Sequence, residues 1–182
     1  EPGPTVIGVL LATTVVALPG LIDDYRPLPA WVKLAGQFIG FLILVRFGIR
    51  VRLPLPEPFD YAITLLWLLG ITNAINFLDN MDGLSAGIAA VTTSFILLLA
   101  LTNEQFLVSA LAAALLGAGL RFLRYNFPPP RIFMGDVGSL FLGSQLAGMG
   151  THVALPHKPH ARTSDEAVLH PAEASYERAR VD

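Results

Sequence analysis

Six apolar stretches dominate this chain, at residues 4–22, 31–49, 61–78, 84–102, 105–123 and 137–155. A helix that crosses a bilayer needs about 20 mostly apolar residues. Unpaired backbone amides cannot face lipid, so stretches of this length predict helices rather than an open sheet. The first five are good candidates; the sixth is rich in Gly and Ser and is the weakest. The fold class expected is all-α: a polytopic transmembrane helical bundle of about five to six helices with short cytoplasmic loops carrying the chemistry. Residues 1–155 read as one transmembrane core. Residues 156–182 lack apolar periodicity and read as a polar, disordered tail.

Composition agrees. The chain is 53% hydrophobic and 14% charged, where soluble domains carry roughly 25% charged residues. A net charge of −2 leaves no nucleic-acid footprint, so no nucleic-acid partner is expected. With no cysteine, disulfides, thiolate zinc sites and cysteine nucleophiles are excluded. His152, His157, His160 and His170 lie in or near the tail, which argues against a zinc centre. The chain opens on Glu1 in an apolar run without the basic flank and cleavage site of a signal peptide. It reads as a fragment, or as a product lacking its natural start.

The connectors are rich in proline, which stops helices. If every apolar run crosses once, alternate connectors share a side. Asp23, Asp24, Asp79, Asp82 and Asp136 then meet at one face, with Glu57, Asp60 and Glu104 on the other. The acidic face also carries Arg26, Lys33, Arg121, Arg124 and Arg131, against Arg46, Arg50 and Arg52 opposite. That excess places the acidic face in the cytoplasm.

Three motifs hold the acids. In "LIDDYRPLPAWVKLAGQ" (21–37), Asp23 and Asp24 end a helix, a placement that taken alone is a solvated helix end opposed by the helix dipole. Lys33 and Gln37 follow one turn apart on the next helix. In "TNAINFLDNMDGLSAG" (72–87), Asn73, Asn76 and Asn80 fall within about 60° of one another at 100° per residue. Asp79 borders that stripe, and Asp82 reaches it if the helix breaks at Gly83. Amides alone suit helix–helix contact; amides with two carboxylates suggest a cavity. In "YNFPPPRIFMGDVGSL" (125–140), Asp136 precedes a helix start, either as a simple N-cap or beside amides able to approach a phosphate. Asn126 and Arg131 stand upstream as donors. Clustered carboxylates need a cation, and a hard divalent ion with substrate phosphates suits oxygen ligands. The combination points to phosphoryl transfer.

The stretches "GLIDDYRPLPAWVKLAGQ", "NAINFLDNMDGLSAG" and "NFPPPRIFMGDVGSLFLG" resemble, in order and spacing, the polyprenyl-phosphate N-acetylhexosaminyl-1-phosphate transferases, over about residues 5 to 150. The resemblance implies that a polyprenyl phosphate attacks a UDP-activated N-acetylamino sugar and UMP leaves. It implies Mg²⁺, with Mn²⁺ as substitute, held by Asp136, Asp24 and Asp79. It makes Asp23, Asp24, Asp79 and Asp82 catalytic, and Lys33, Asn73, Asn76, Asn126 and Arg131 substrate-binding. Undecaprenyl phosphate, a UDP-sugar and the bacterial cytoplasmic membrane are the implied partners and setting, with a homodimer as a candidate assembly. "LDNMD" leans toward N-acetylglucosamine 1-phosphate over phospho-N-acetylmuramoyl-pentapeptide. Asn80 stands where many relatives have Gly, and Pro130 and Arg131 replace the commoner Ala and Lys. The family's upstream basic motif and histidine-rich loop have no counterpart here. Rivals are a cation or proton transporter, whose acids belong near the midplane, and an inactive truncated relative.

Overall fold

The computed structural model describes residues 3–54 and 56–154, so the tail expected at 156–182 lies outside the described residues. Six helices run in order: α1 (Gly3–Asp23), α2 (Ala30–Arg46), α3 (Glu57–Leu78), α4 (Leu84–Thr102), α5 (Phe106–Asn126) and α6 (Gly135–Val153). There is no strand among the described residues.

Four of the helices, at Pro4–Asp23, Glu57–Leu78, Leu84–Thr102 and Phe106–Asn126, are long and apolar enough to cross a membrane. Four of the six spans expected meet that criterion, and α2 and α6 complete the six-helix bundle. The 17 residues of α2 reach only about 26 Å at 1.5 Å per residue, because Phe47 and Gly48 end the helix before the apolar run does. For α6, long enough at 19 residues, the reason is its Gly, Ser and Gln content, which its position tolerates. Twelve of its 19 residues are buried, and it packs against α1, α3 and α4. A helix walled by other helices can carry Gly, Ser and Gln where a lipid-facing one cannot.

One connector also differs from expectation. Residues 57–60, expected in a loop, form the first turn of α3. Pro56 caps that turn in an extended conformation and Pro58 sits where a missing N–H costs nothing. Asp60 accepts a hydrogen bond from the Leu53 amide at 3.1 Å, and Arg50 pairs with Glu57 at 2.9 Å. The loop is thereby folded back onto the helix start.

Small residues let the helices approach closely. Gly36 of α2 faces Pro19 of α1, where a Cβ would come within 2.6 Å of the proline ring. Gly20 of α1 lies against the α6 start, where a Cβ would meet the Asp136 carbonyl oxygen at 2.6 Å. Gly143 of α6 faces the Thr72 backbone of α3. Val9, Leu44, Leu68, Leu146 and Met149 fill the core toward the other end. These contacts set the C-terminus of α1, the C-terminus of α3 and the N-terminus of α6 side by side.

Candidate active site

The Asp24 carboxylate crosses from the end of α1 to the start of α6. It accepts the Asp136 amide at 2.8 Å and the Val137 amide at 3.2 Å. Helix N-termini leave amides without intrahelical partners and carry partial positive charge, so a carboxylate there is stabilised on both counts. The local chain is shaped for this contact. Gly135 takes φ +69°, and a Cβ on it would lie 2.8 Å from the Asp24 carboxylate. The expectation that an aspartate opposes the α1 dipole is thus answered by a second helix of opposite polarity.

Lys33, in the second turn of α2, lies between two acids from different motifs. Its ammonium is 2.7 Å from Asp23 Oδ2 and also donates to Asp136 Oδ2. Asp23 Oδ1 accepts the Leu28 amide, which ties down the loop between α1 and α2. Asp136 Oδ1 accepts from Asn76 Nδ2 at 3.0 Å, and the same amide nitrogen donates to Ser139 Oγ at 2.8 Å. Five residues from four helices and their ends therefore form one polar cluster.

Asp79 caps α3 beside this cluster. No donor among the described residues is hydrogen-bonded to its carboxylate. Burial pushes its pKa up to about 6, and the neighbouring charges of Asp136, Asp24 and Asp82 push the same way. Asp82 stands in the exposed turn before Gly83, which takes φ +74° as the chain reverses into α4.

Of the residues expected in the site, Asp23, Asp24, Lys33, Asn76 and Asp136 are in direct contact, and Asp79 and Asp82 join through charge. The other three lie apart from that contact network. Asn73 exchanges hydrogen bonds with Gln37, at 2.8 and 3.2 Å. Asn126, buried, accepts the Gly83 amide at 2.8 Å and donates to the Ile132 carbonyl at 2.9 Å. It thus braces the turn after Asp82 against the loop before Asp136. Arg131 lines a separate cavity with Arg124. Ser139 belongs to the network without having been singled out. Its spacing held the signal: it lies three residues past Asp136 on the same helix face.

Among the described residues, no three acidic or histidine side chains form a ready metal cage. Asp24 is engaged by α6, and Asp136 by Lys33 and Asn76. The donor set nevertheless fits Mg²⁺, which takes one or two carboxylates and leaves its other positions to water and phosphate. Asp79, pressed by the negative charges of its neighbours and without a donor among the described residues, offers the clearest oxygen ligand.

Comparison with known proteins adds a second line. Residues 6–154 match glycosyl transferase family 4. The chain is similar to a probable undecaprenyl-phosphate N-acetylglucosaminyl 1-phosphate transferase of Bacillus subtilis (strain 168), with 37% identity over 148 residues, 76% of this chain and 41% of that protein. A phospho-N-acetylmuramoyl-pentapeptide-transferase of Latilactobacillus sakei is 36% identical over 133 residues, covering 67% of this chain and 42% of that protein. A decaprenyl-phosphate N-acetylglucosaminephosphotransferase of Mycobacterium leprae is 34% identical over 172 residues, covering 84% and 43%. The chain thus spans less than half the length of these three relatives.

Proposed function

The chain belongs to glycosyl transferase family 4, and from that membership we propose that it is the core of a membrane phosphotransferase. Its donor is a UDP-activated N-acetylhexosamine, UDP-N-acetylglucosamine, and its acceptor is a polyprenyl phosphate such as undecaprenyl phosphate. The acceptor oxygen bonds to the sugar-bearing phosphorus, the bond to UMP breaks, and a lipid-linked sugar diphosphate remains. The site faces the cytoplasm of a bacterium, where nucleotide sugars are found.

The observation that carries this reading is the contact of Lys33 with both Asp23 and Asp136, joined by Asn76 to α3. It gathers three separate motifs at one end of the bundle, where a diphosphate needs both positive charge and metal-binding oxygens. A transporter would place its acids within the bundle instead.

Lys33 is positioned to exchange a carboxylate for a phosphate oxygen as substrate enters. Asn76 orients Asp136, and Asp24 locks the α6 start so that Asp136 stays in place. A phosphate monoester has a second pKa near 6, so the acceptor is mostly dianionic at pH 7 and needs little help from a base. Asp23 and Asp24 therefore act by positioning. A divalent cation held by Asp79 and Asp136, when bound, neutralises charge on the diphosphate.

The test uses the full chain in nanodiscs with undecaprenyl phosphate, Mg²⁺ and UDP-N-acetylglucosamine. The expected result is UMP release and a lipid-linked product, both lost with EDTA or with Asp136→Asn. A parallel reaction with UDP-N-acetylmuramoyl-pentapeptide decides the sugar. Absence of UMP from both donors, with the protein folded, would overturn the reading.

A further inference from the structure

At the end of α5, next to the loop that leads to Asp136, lies a cavity of about 470 Å³ lined by Arg124, Tyr125, Phe127, Pro128, Pro129 and Arg131. The Arg131 amide donates to the Tyr125 carbonyl at 2.8 Å, closing the loop around it. Both arginines are exposed, and neither forms an ion pair among the described residues. One turn back, Arg121 stacks over the Tyr125 ring with its guanidinium carbon 4.6 Å from the centroid. Three cations thus crowd one helix end with no ion-pair partner among the described residues, although five acids stand at the same end of the bundle.

Two features indicate what supplies the anion. Only 17% of the α5 spanning window is buried, against 22% for α3 and 39% for α1 and for α4. The cavity therefore lies at the end of a long apolar helix whose surface is largely uncovered by the other described helices. Phe127 and Phe133, 65% and 76% exposed, flank the loop and place apolar surface beside the two arginines, as an amphiphile with an anionic head requires. Arginine presents a planar fork that matches two phosphate oxygens.

We propose that this cavity binds the phosphate of an anionic glycerophospholipid headgroup, held between Arg124 and Arg131 beside the acidic site. A bound lipid here would fix the 127–134 loop, which Asn126 ties to the turn after Asp82. The proposal does not depend on the transferase reading.

The test measures binding of phosphatidylglycerol to the full chain in detergent by native mass spectrometry. Near an anionic membrane each Arg contributes about fivefold in affinity, so Arg124→Gln with Arg131→Gln is expected to weaken binding roughly 30-fold. Arg46→Gln with Arg52→Gln removes the same charge at the opposite end and is expected to leave binding within about threefold of the parent, because the interaction falls off within a Debye length. Either single variant at the cavity, at about fivefold, carries the test if the double variant does not fold. Equal losses in the two double variants, or no loss in either, would overturn the proposal. So would equally tight binding of phosphatidylcholine. Complete displacement of the lipid by millimolar inorganic phosphate would mean a site for free phosphate, and would overturn the lipid assignment.

Discussion

Asp79→Asn is expected to make the protein more stable in the absence of metal. The Asp79 carboxyl has a pKa of about 6 against an ordinary 3.8, raised first by burial and then by Asp136, Asp24 and Asp82. A pKa raised by folding means that the native state holds the proton more tightly than the unfolded chain does. The native state is therefore unpenalised below the unfolded value, progressively penalised as pH climbs, and fully penalised above about 6. At 1.36 kcal/mol per unit, a rise of about two units corresponds to a penalty of about 3 kcal/mol. Solvent at the half-buried carboxyl screens part of this, leaving about 1–2 kcal/mol at pH 7.5.

Asparagine keeps the shape and removes the charge, and no donor among the described residues loses a partner. In EDTA at pH 7.5 the variant is expected to melt roughly 3–6 °C above the parent. The gain should be roughly halved at pH 5 and nearly gone at pH 4. Thermal unfolding in detergent across that range is the assay. Adding Mg²⁺ should narrow the difference at pH 7.5, because a cation relieves in the parent the repulsion that asparagine removes. A gain independent of pH, or a variant less stable at pH 7.5 than the parent, would refute the reasoning.

Three further outcomes follow from the geometry. Gly135→Ala strains a φ of +69° and drives a methyl group toward Asp24 at 2.8 Å; it should cost about 1–3 kcal/mol in chemical unfolding, while Gly70→Ala, which meets nothing within 4 Å, should cost nothing measurable. Lys33→Met leaves Asp23 and Asp136 facing one another without their shared cation and should destabilise by about 1–3 kcal/mol at pH 7.5, with the loss shrinking as the carboxylates are protonated. Asn126→Ala removes both the Gly83 and Ile132 contacts; it should cost about 1–3 kcal/mol and speed amide hydrogen exchange at Gly83, which other loop amides would not share.

The helical class and the meeting of distant acids were legible because they follow from period and parity. A chain whose apolar runs each cross once must bring alternate loops to one side, whatever the details of packing. Which polar side chain faces which neighbour does not follow from period. Asn73 and Asn76 lie 60° apart on α3, close enough to read as one stripe. In the structure that angle divides them: Asn76 turns to Asp136 on α6, and Asn73 turns to Gln37 on α2. Two neighbours meet α3 within that 60° arc, a fact of tertiary packing. The central place of α6 was hidden for a related reason. Low apolarity weakened it as a span, yet in this bundle it marks a helix enclosed by its neighbours. Pro56 misled in the same way, since a proline that ends one element also starts another.

The cluster's charge balance then says where a cation is missing. Lys33 serves Asp23 and Asp136 with a single positive charge. The α6 N-terminus, worth about half a charge, serves Asp24. Nothing among the described residues serves Asp79, and burial first, then the uncompensated charges of Asp136, Asp24 and Asp82, raise its pKa. A general need for compensation by a cation, evident once five acids share a face, is thus confined to the edge of the cluster where Asp79 approaches Asp136. The Lys33 contact also fixes the orientation of the Asp136 carboxylate at that edge. Replacing Lys33 should therefore do two opposite things to metal affinity: free a ligand oxygen, and release the geometry that holds it. If Lys33→Met bound Mg²⁺ more tightly than the parent, the ligand-freeing effect would be the larger, and positioning by Lys33 would count for little.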